Sequence, residues 1–159
     1  MSPEEKVLLI PKIENGFVID HIPAGAGGRL LHLMQRHREF DNVLITLGQH
    51  YSSRRLGRKD LLKIQANELP SRFLQHLALL MPGVTVKRIR DFKVAEKVVM
   101  ETPDLVHEIL RCPNPNCITN HERGMGTTFH LVERETKTFR CNHCERHFTQ
   151  TALTATLNI

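Results

Sequence analysis

The sequence predicts an α+β protein in which a ferredoxin-like antiparallel sheet with two helices precedes a small all-β domain built around four cysteines. Two observations predict this class. Up to residue 99 the apolar residues alternate between strand and helix periods in the order β-α-β-β-α-β, once an additional strand at each end is left aside. Beyond that point, all four cysteines lie between residues 112 and 144. We therefore predict two domains, residues 1–102 and residues 103–159.

The N-terminal domain is predicted to begin with two strands and a helix. The runs Val7–Ile13 and Phe17–Ile22 are rich in β-branched residues, and Asn15-Gly16 between them is a typical turn sequence. In Gly28–His37 the apolar residues recur on neighbouring turns, which predicts a helix.

The rest of this domain is predicted to contain four strands and a second helix. Val43–Leu47 reads as a short strand, and the polar segment Gly48–Gly57 as a loop. In Lys59–Ile64 the residues alternate, with Leu62 and Ile64 on one face and Leu61 and Lys63 on the other. Ser71 is expected to cap a helix that ends at Pro82-Gly83. The last two strands are Val84–Ile89 and Phe92–Val99.

Composition and charge narrow the classes of function. The 159 residues include no Trp and one Tyr, which gives little material for a nucleic-acid reader built on stacked aromatic rings. Residues 1–102 hold 16 Lys and Arg against 11 Asp and Glu, whereas residues 103–159 hold six of each, so an anionic partner is expected at the N-terminal domain. No apolar run approaches the ~20 residues that cross a bilayer, and the polar start is unlike a signal peptide. We expect a cytoplasmic protein with no membrane partner.

The cysteines occur as two pairs with spacings typical of a metal site. One pair has four intervening residues and the other has two, so each pair supplies two thiolates from one turn and the two turns complete a tetrahedron. Four thiolates leave no position for water, so we expect one structural Zn²⁺ per chain. His143 and His147 are then expected to lie at the surface or to contact the ligands without binding the ion. Buried free thiols or a redox Cys-x-x-Cys are the weaker alternatives, because a thioredoxin-like motif would precede a helix. The predicted ligands are Cys112, Cys117, Cys141 and Cys144.

Two other segments have open interpretations. Pro113–Asn116 is either a contact surface that projects two amides or merely a stiffened loop. Gly25, Gly27 and Gly28 hint at phosphate binding, but the dinucleotide fingerprint is incomplete and a plain turn is favoured. The familiar nucleophile, P-loop and open-metal motifs are missing, so the sequence does not predict an enzyme.

Several motifs resemble the regulatory chain of aspartate carbamoyltransferase. They are Phe17–Ala24, Gly57–Ile64, Cys112–Cys117 and Cys141–Glu145, in the same order and with the same gaps between cysteines. The resemblance implies a non-catalytic allosteric subunit whose N-terminal domain binds CTP or ATP and whose zinc domain docks on the catalytic chain. It also implies a homodimer of regulatory chains joined through the nucleotide domains, and feedback control of pyrimidine biosynthesis by CTP.

The resemblance also implies which residues bind the nucleotide. By matching positions, these are Ile13, Asp20, His21, Lys63, Thr85, Ile89, Phe92, Val94 and Lys97. A carboxylate at Asp20 suits ribose hydroxyls, while Lys97, Lys59 and His21 offer charge to phosphates. Lys87 stands where the family has an amide, which affects base preference. Without the resemblance, these lysines would read as an ordinary solvated strand face.

The partner interface is expected on the turns that the metal holds rigid. Asn114, Asn116 and Glu145 flank the ligands, and each is expected to hydrogen-bond outward to the catalytic chain.

Two other functions remain as alternatives. The first is a zinc-ribbon protein that binds RNA or DNA, which the pI of about 9.3 and the clusters Arg36–Arg38 and Arg54-Arg55 favour. The balanced charge and scarce aromatics of the cysteine region disfavour it. The second is a scaffold that has lost effector binding.

Overall fold

The structure, a computed structural model, describes residues 9–157, which form two compact units. The first unit contains residues 9–68 together with Val84–Val98, and the second contains Leu69–Gly83 together with residues 99–157. The sequence-based boundary between residues 102 and 103 divides the chain differently and stays a prediction. Within residues 9–157, no helix has the length and hydrophobicity needed to cross a bilayer.

The first unit is built on a five-stranded sheet with the strand order β2-β3-β1-β4-β5. Its elements are β1 (Gly16–Pro23), α1 (Gly27–Met34), β2 (Ile45–Ser53), β3 (Gly57–Ile64), β4 (Thr85–Arg90) and β5 (Lys93–Val99). The central strand β1 pairs antiparallel with both β3 and β4, and β2 pairs antiparallel with β3. With α2 (Ser71–Leu80) between β3 and β4 in the chain, this is the predicted ferredoxin-like α+β class, which is confirmed.

The two faces of this sheet differ as the alternation predicts. Ile19, Leu62 and Ile64 are completely buried on one face, whereas Lys63 lies on the other. Gly16 begins β1 with φ +143°, and a Cβ there would lie 2.1 Å from the carbonyl oxygen of Ile64. Only glycine therefore allows β1 to approach β3 this closely.

Two strand predictions are wrong. The predicted strand Val7–Ile13 is not found over residues 9–13, and its first two residues lie outside the described part of the chain. The predicted loop Gly48–Gly57 mostly belongs to β2, which runs on to Ser53. The pattern concealed this strand because its outer half is polar and because a bulge between Gly48 and Tyr51 shifts the register.

The helices occur where they were predicted, with shifted ends. The first ends at Met34, three residues before the predicted end, and a 3-10 turn, Arg38–Phe40, follows. In α2 the N-cap residue is Pro70 and no side chain caps the helix, so the capping role expected of Ser71 is wrong.

The second unit contains a four-stranded antiparallel sheet in simple meander order, with two short helical segments at its end. The elements are β6 (Leu105–His107), β7 (Thr128–Glu133), β8 (Thr138–Cys141), β9 (His147–Thr149), α3 (Gln150–Thr154) and a 3-10 turn, Ala155–Leu157. Phe129, Phe139 and Leu153 are completely buried in its core. Leu79 of α2 belongs to the same core, and the side chain of Gln150 donates a hydrogen bond to the Leu79 carbonyl. Helix α2 is thus an integral part of this unit.

Candidate metal centre and cationic cavity

The four cysteines converge on one point. Their Sγ atoms all lie within 4.8 Å of one another. The Sγ atoms of Cys112 and Cys144 are 3.7 Å apart, and those of Cys117 and Cys141 are 3.9 Å apart. A tetrahedral ion with Zn–S bonds of about 2.3 Å requires sulfur atoms about 3.8 Å apart. The geometry of the donor set therefore fits a single tetrahedral metal ion.

Backbone hydrogen bonds hold the two ligand turns. The Cys117 amide donates to the Asn114 carbonyl at 3.0 Å. The side-chain amide of Asn120 donates to the carbonyls of Cys112 and Asn114, at 3.0 and 2.8 Å, and so bridges the two ends of the first turn. In the second turn, the Cys141 amide donates to the Arg146 carbonyl at 3.0 Å. These hydrogen bonds fix the backbone of both turns around the sulfur cluster.

The electrostatics of the thiols differ between the two sides of the cluster. Burial raises the pKa values of Cys112 and Cys141 above those of ordinary thiols. Burial also acts to raise the pKa of Cys144, but hydrogen bonds from the Arg146 amide and the Asn114 side chain outweigh it and lower this pKa to about 7.

The predicted interface residues divide into two kinds. Asn116 and Glu145 are exposed, but Asn114 is only 6% exposed. Its Oδ1 accepts the backbone N–H of Asn116 at 3.1 Å, and its amide faces Cys144. The expectation that Asn114 projects outward is therefore wrong, because its side chain forms hydrogen bonds within the ligand turn. His143, which hydrogen-bonds the Gly126 carbonyl at 3.0 Å, takes no part in the sulfur cluster.

A cavity of about 330 Å³ lies on the sheet face of the first unit that carries Lys63. Its wall is formed by β1, β3, β4, the start of β5 and the segment before β1. It is lined by Lys12, Ile13, Val18, Asp20, Leu61, Lys63, Lys87, Ile89, Phe92 and Val94. The structure thus brings together seven of the residues predicted for the nucleotide site.

Asp20 is the centre of an ion cluster at one side of this cavity. Its side chain is only 8% exposed, and it meets Lys59 Nζ at 2.7 Å and Lys87 Nζ at 2.8 Å through different oxygens. The His21 amide adds a third hydrogen bond at 2.7 Å. Burial alone would raise the pKa of Asp20, but these bonds outweigh it and hold the pKa far below 3.8. Asp20 is therefore ionised at neutral pH.

His21 lies at a β-bulge beside this cluster. The register between β1 and β3 shifts between Ile19 and Ile22, and His21 has a left-handed φ of +59°. Its Nδ1 is 3.3 Å from Thr85 Oγ1. Burial lowers the pKa of His21 below 6.5, and the charges of Lys59 and Lys87 lower it further, although Asp20 opposes them. The ring is therefore neutral at pH 7.

Lys63 connects the cavity to the segment before β1. Its Nζ donates to the carbonyls of Pro11 and Ile10, at 2.6 and 3.3 Å. Burial and the charge of Lys12 lower its pKa. Lys97 differs from the other predicted lysines, because it is exposed on β5 and does not line the cavity.

Asp60 is a structural residue that the sequence analysis missed. It is completely buried, and it accepts hydrogen bonds from the backbone N–H groups of Gly25, Gly27 and His50 at 2.8–2.9 Å. These bonds tie the turn before α1 to the bulge of β2. The glycine amides are thereby occupied within the protein, which supports the plain-turn interpretation of this segment. A carboxylate between Lys59 and a run of apolar residues was the only signal in the sequence.

A four-cysteine centre and a separate cavity lined by lysines define a metal-binding protein with a cationic pocket. The chain belongs to the family of aspartate carbamoyltransferase regulatory chains: residues 8–101 match the model of that chain's allosteric domain and residues 104–154 that of its metal-binding domain.

Similar curated proteins carry the same description. The aspartate carbamoyltransferase regulatory chains of Pyrococcus abyssi and Thermococcus onnurineus are 40% and 39% identical, each over 94% of this chain and 98% of theirs. That of Thermoplasma acidophilum is 35% identical over 89% of this chain and 93% of its own. The predicted identity as a regulatory rather than catalytic subunit in pyrimidine biosynthesis is confirmed, and the nucleic-acid-binding alternative is not favoured.

Proposed function

We propose that this chain is an allosteric subunit that binds CTP or ATP in the cavity of residues 1–102 and docks on the catalytic chain through a zinc domain of residues 103–159. The observation that carries the proposal is the cavity itself, in which lysines surround a single ionised aspartate at the side of an apolar pocket. Its volume of about 330 Å³ lies at the lower end of the range for small-molecule sites.

The lining of the cavity matches the parts of a nucleotide. Ile89, Phe92 and Val94 supply apolar surface for the base. The oxygens of Asp20 retain lone pairs that ribose hydroxyls can donate to. Lys59 and Lys87 beside it supply positive charge for the phosphates. Lys97, exposed on β5, reaches the phosphates when its long side chain folds inward over the cavity.

Zinc is the metal that the sulfur cluster fits best. Four thiolates at tetrahedral spacing are typical of structural Zn²⁺, and they leave no coordination position for water. We therefore assign one structural ion per chain to Cys112, Cys117, Cys141 and Cys144. Thiolates of this kind persist in a reducing compartment, which supports a cytoplasmic location. Asn116 and Glu145, exposed on the ligand turns, are the residues that we propose meet the catalytic chain.

The outer strand β5 supports the proposed homodimer. All seven of its residues are exposed, including Val94, Val98 and Val99. An exposed apolar edge strand is a ready site for pairing with another chain, and a second copy of β5 would cover it. Sedimentation of the isolated chain tests this, because Val98→Lys should yield monomers, and a dimer that persists unchanged would contradict this interface.

Calorimetry with CTP and ATP tests the central proposal. Lys63→Ala and Lys87→Asn should each weaken binding by roughly ten- to hundredfold, because each removes a charge-assisted hydrogen bond. If Lys97 reaches the phosphates, Lys97→Ala should do the same. The zinc content should not change in any variant, because the substitutions lie in the other unit. Unchanged affinity in the first two variants would place the nucleotide elsewhere, and failure of the unaltered chain to bind would leave only a scaffold.

A further inference from the structure

More cationic than anionic side chains line the cavity. Among its ten lining residues, Asp20 is the one carboxylate, whereas Lys12, Lys63 and Lys87 are cations. Lys59, which contacts Asp20 from the adjoining strand, adds a fourth. The site therefore offers an excess of positive charge to an anionic ligand without any further ion.

Asp20 has no oxygen without a cation. One oxygen lies 2.7 Å from Lys59 Nζ and the other 2.8 Å from Lys87 Nζ. Sites that bind nucleotides together with Mg²⁺ usually hold the ion through one or two carboxylates. Here the single available carboxylate is already neutralised on both sides, and an approaching Mg²⁺ would have to displace an ammonium group that is held in a mostly buried ion pair.

We propose that the cavity binds the nucleoside triphosphate as the metal-free anion. A site that binds magnesium–nucleotide complexes leaves a carboxylate free for the ion, whereas here Lys87 occupies that position beside Asp20. This inference rests on the proposed nucleotide function and specifies the form of the ligand. Lys87 is then the residue that determines this selectivity, because it both blocks Asp20 and supplies charge to the phosphates.

Mg²⁺ should therefore compete with the protein for the nucleotide. It binds the same phosphate oxygens as the lysines and removes two of the negative charges that attract them. If only the metal-free nucleotide binds, the apparent Kd rises as the inverse of the metal-free fraction. With Mg²⁺ in large excess, this rise should be at least about tenfold.

The test is a titration of the intact chain with CTP in magnesium-free buffer and again with excess MgCl₂, matched in ionic strength with NaCl. No chelator is added, so the sulfur-bound metal stays in place. Weaker binding of CTP in the presence of MgCl₂ is the expected result. Cytidine, which has no phosphates, should bind equally in both buffers and shows whether the effect acts through the phosphates.

Lys87→Gln tests the residue that we hold responsible. The variant keeps a polar side chain but frees one oxygen of Asp20, so it should bind metal-free CTP roughly tenfold more weakly and lose most of the penalty from MgCl₂. Lys93→Gln is the matched control, because Lys93 is exposed at the start of β5 and does not line the cavity; it should behave as the unaltered chain.

Two results would overturn the inference while leaving the nucleotide function standing. They are equal or tighter binding of CTP with MgCl₂, and a magnesium penalty that Lys87→Gln retains in full. Absence of CTP binding in both buffers would instead refute the proposed function and the inference with it.

Discussion

Replacing Asp20 by Asn should destabilise the first unit by about 3 kcal/mol. The substitution removes the charge from both ion pairs, in which the lysine side chains are 19% and 23% exposed and that of Asp20 is 8% exposed. A hydrogen bond to a charged group contributes about 1.5–3 kcal/mol. We take the lower value for each of the two bonds, because the ammonium groups still reach water and recover part of their hydration.

The assay is urea denaturation followed by tyrosine fluorescence. Tyr51 is the single tyrosine, the chain has no tryptophan, and Tyr51 lies on β2 of the first unit, so the signal reports that unit. For an m value of about 2 kcal/mol/M, the loss corresponds to a midpoint lowered by about 1.5 M. Asp41→Asn, which removes an exposed charge, is the matched control and should leave the midpoint unchanged.

The pH dependence gives an independent test. Because the hydrogen bonds to Lys59 and Lys87 depress the pKa of folded Asp20 below 3.8, its contribution is complete above that value and is lost as the pH falls towards the folded pKa. The stability difference between the unaltered chain and Asp20→Asn should therefore be constant from pH 7 to about pH 5 and shrink in more acidic solution. A difference below about 1 kcal/mol at pH 7 would refute the reasoning.

Four more outcomes are expected. Chelating the metal should unfold the second unit, seen as lost far-ultraviolet dichroism, while the fluorescence of Tyr51 stays unchanged; loss of both signals together would contradict independent units. Asn114→Ala should lower the affinity for zinc about 10–100-fold in a competition assay, because it removes a donor to Cys144, whereas Asn116→Ala should weaken assembly with the catalytic chain and keep the metal. Burial lowers the pKa of His21, so the affinity for CTP should rise only as the pH falls through that lowered pKa and His21 becomes protonated; if a His21→Gln variant shows the same pH profile, the effect belongs to the phosphates of CTP and not to His21.

The sequence was most informative where function depends on residue type and short spacing. The four cysteines can be predicted as metal ligands from residue type and spacing alone, because paired thiols in a reducing compartment rarely serve another purpose. The strand around Leu62 was equally clear, because strict alternation separates a buried face from one that carries Lys63.

What the sequence did not reveal depends on pairing across strands. Asp20 and Lys87 are 67 residues apart and meet only because β1 lies beside β4. The outer half of β2 shows no alternation of apolar residues, so the sequence does not predict it as a strand. His50, at the bulge of this strand, has a left-handed φ of +60° that local propensity does not predict either. The outward orientation predicted for Asn114 is wrong because spacing alone does not show that its side chain completes a turn around Cys144.

Helix α2 has a consequence for how the chain emerges from the ribosome. It is synthesised between β3 and β4, yet Leu79 is buried in a core whose other members lie at residues 106–157. When α2 leaves the exit tunnel, β1 still lacks its neighbour β4, and the residues between 106 and 157 that pack around Leu79 have not yet been made. A nascent chain stalled near residue 100 should thus expose Leu79, which is only 1% exposed in the finished protein. Such a surface is a ready substrate for chaperones, and prematurely terminated chains should be cleared or aggregate rather than persist as half-proteins.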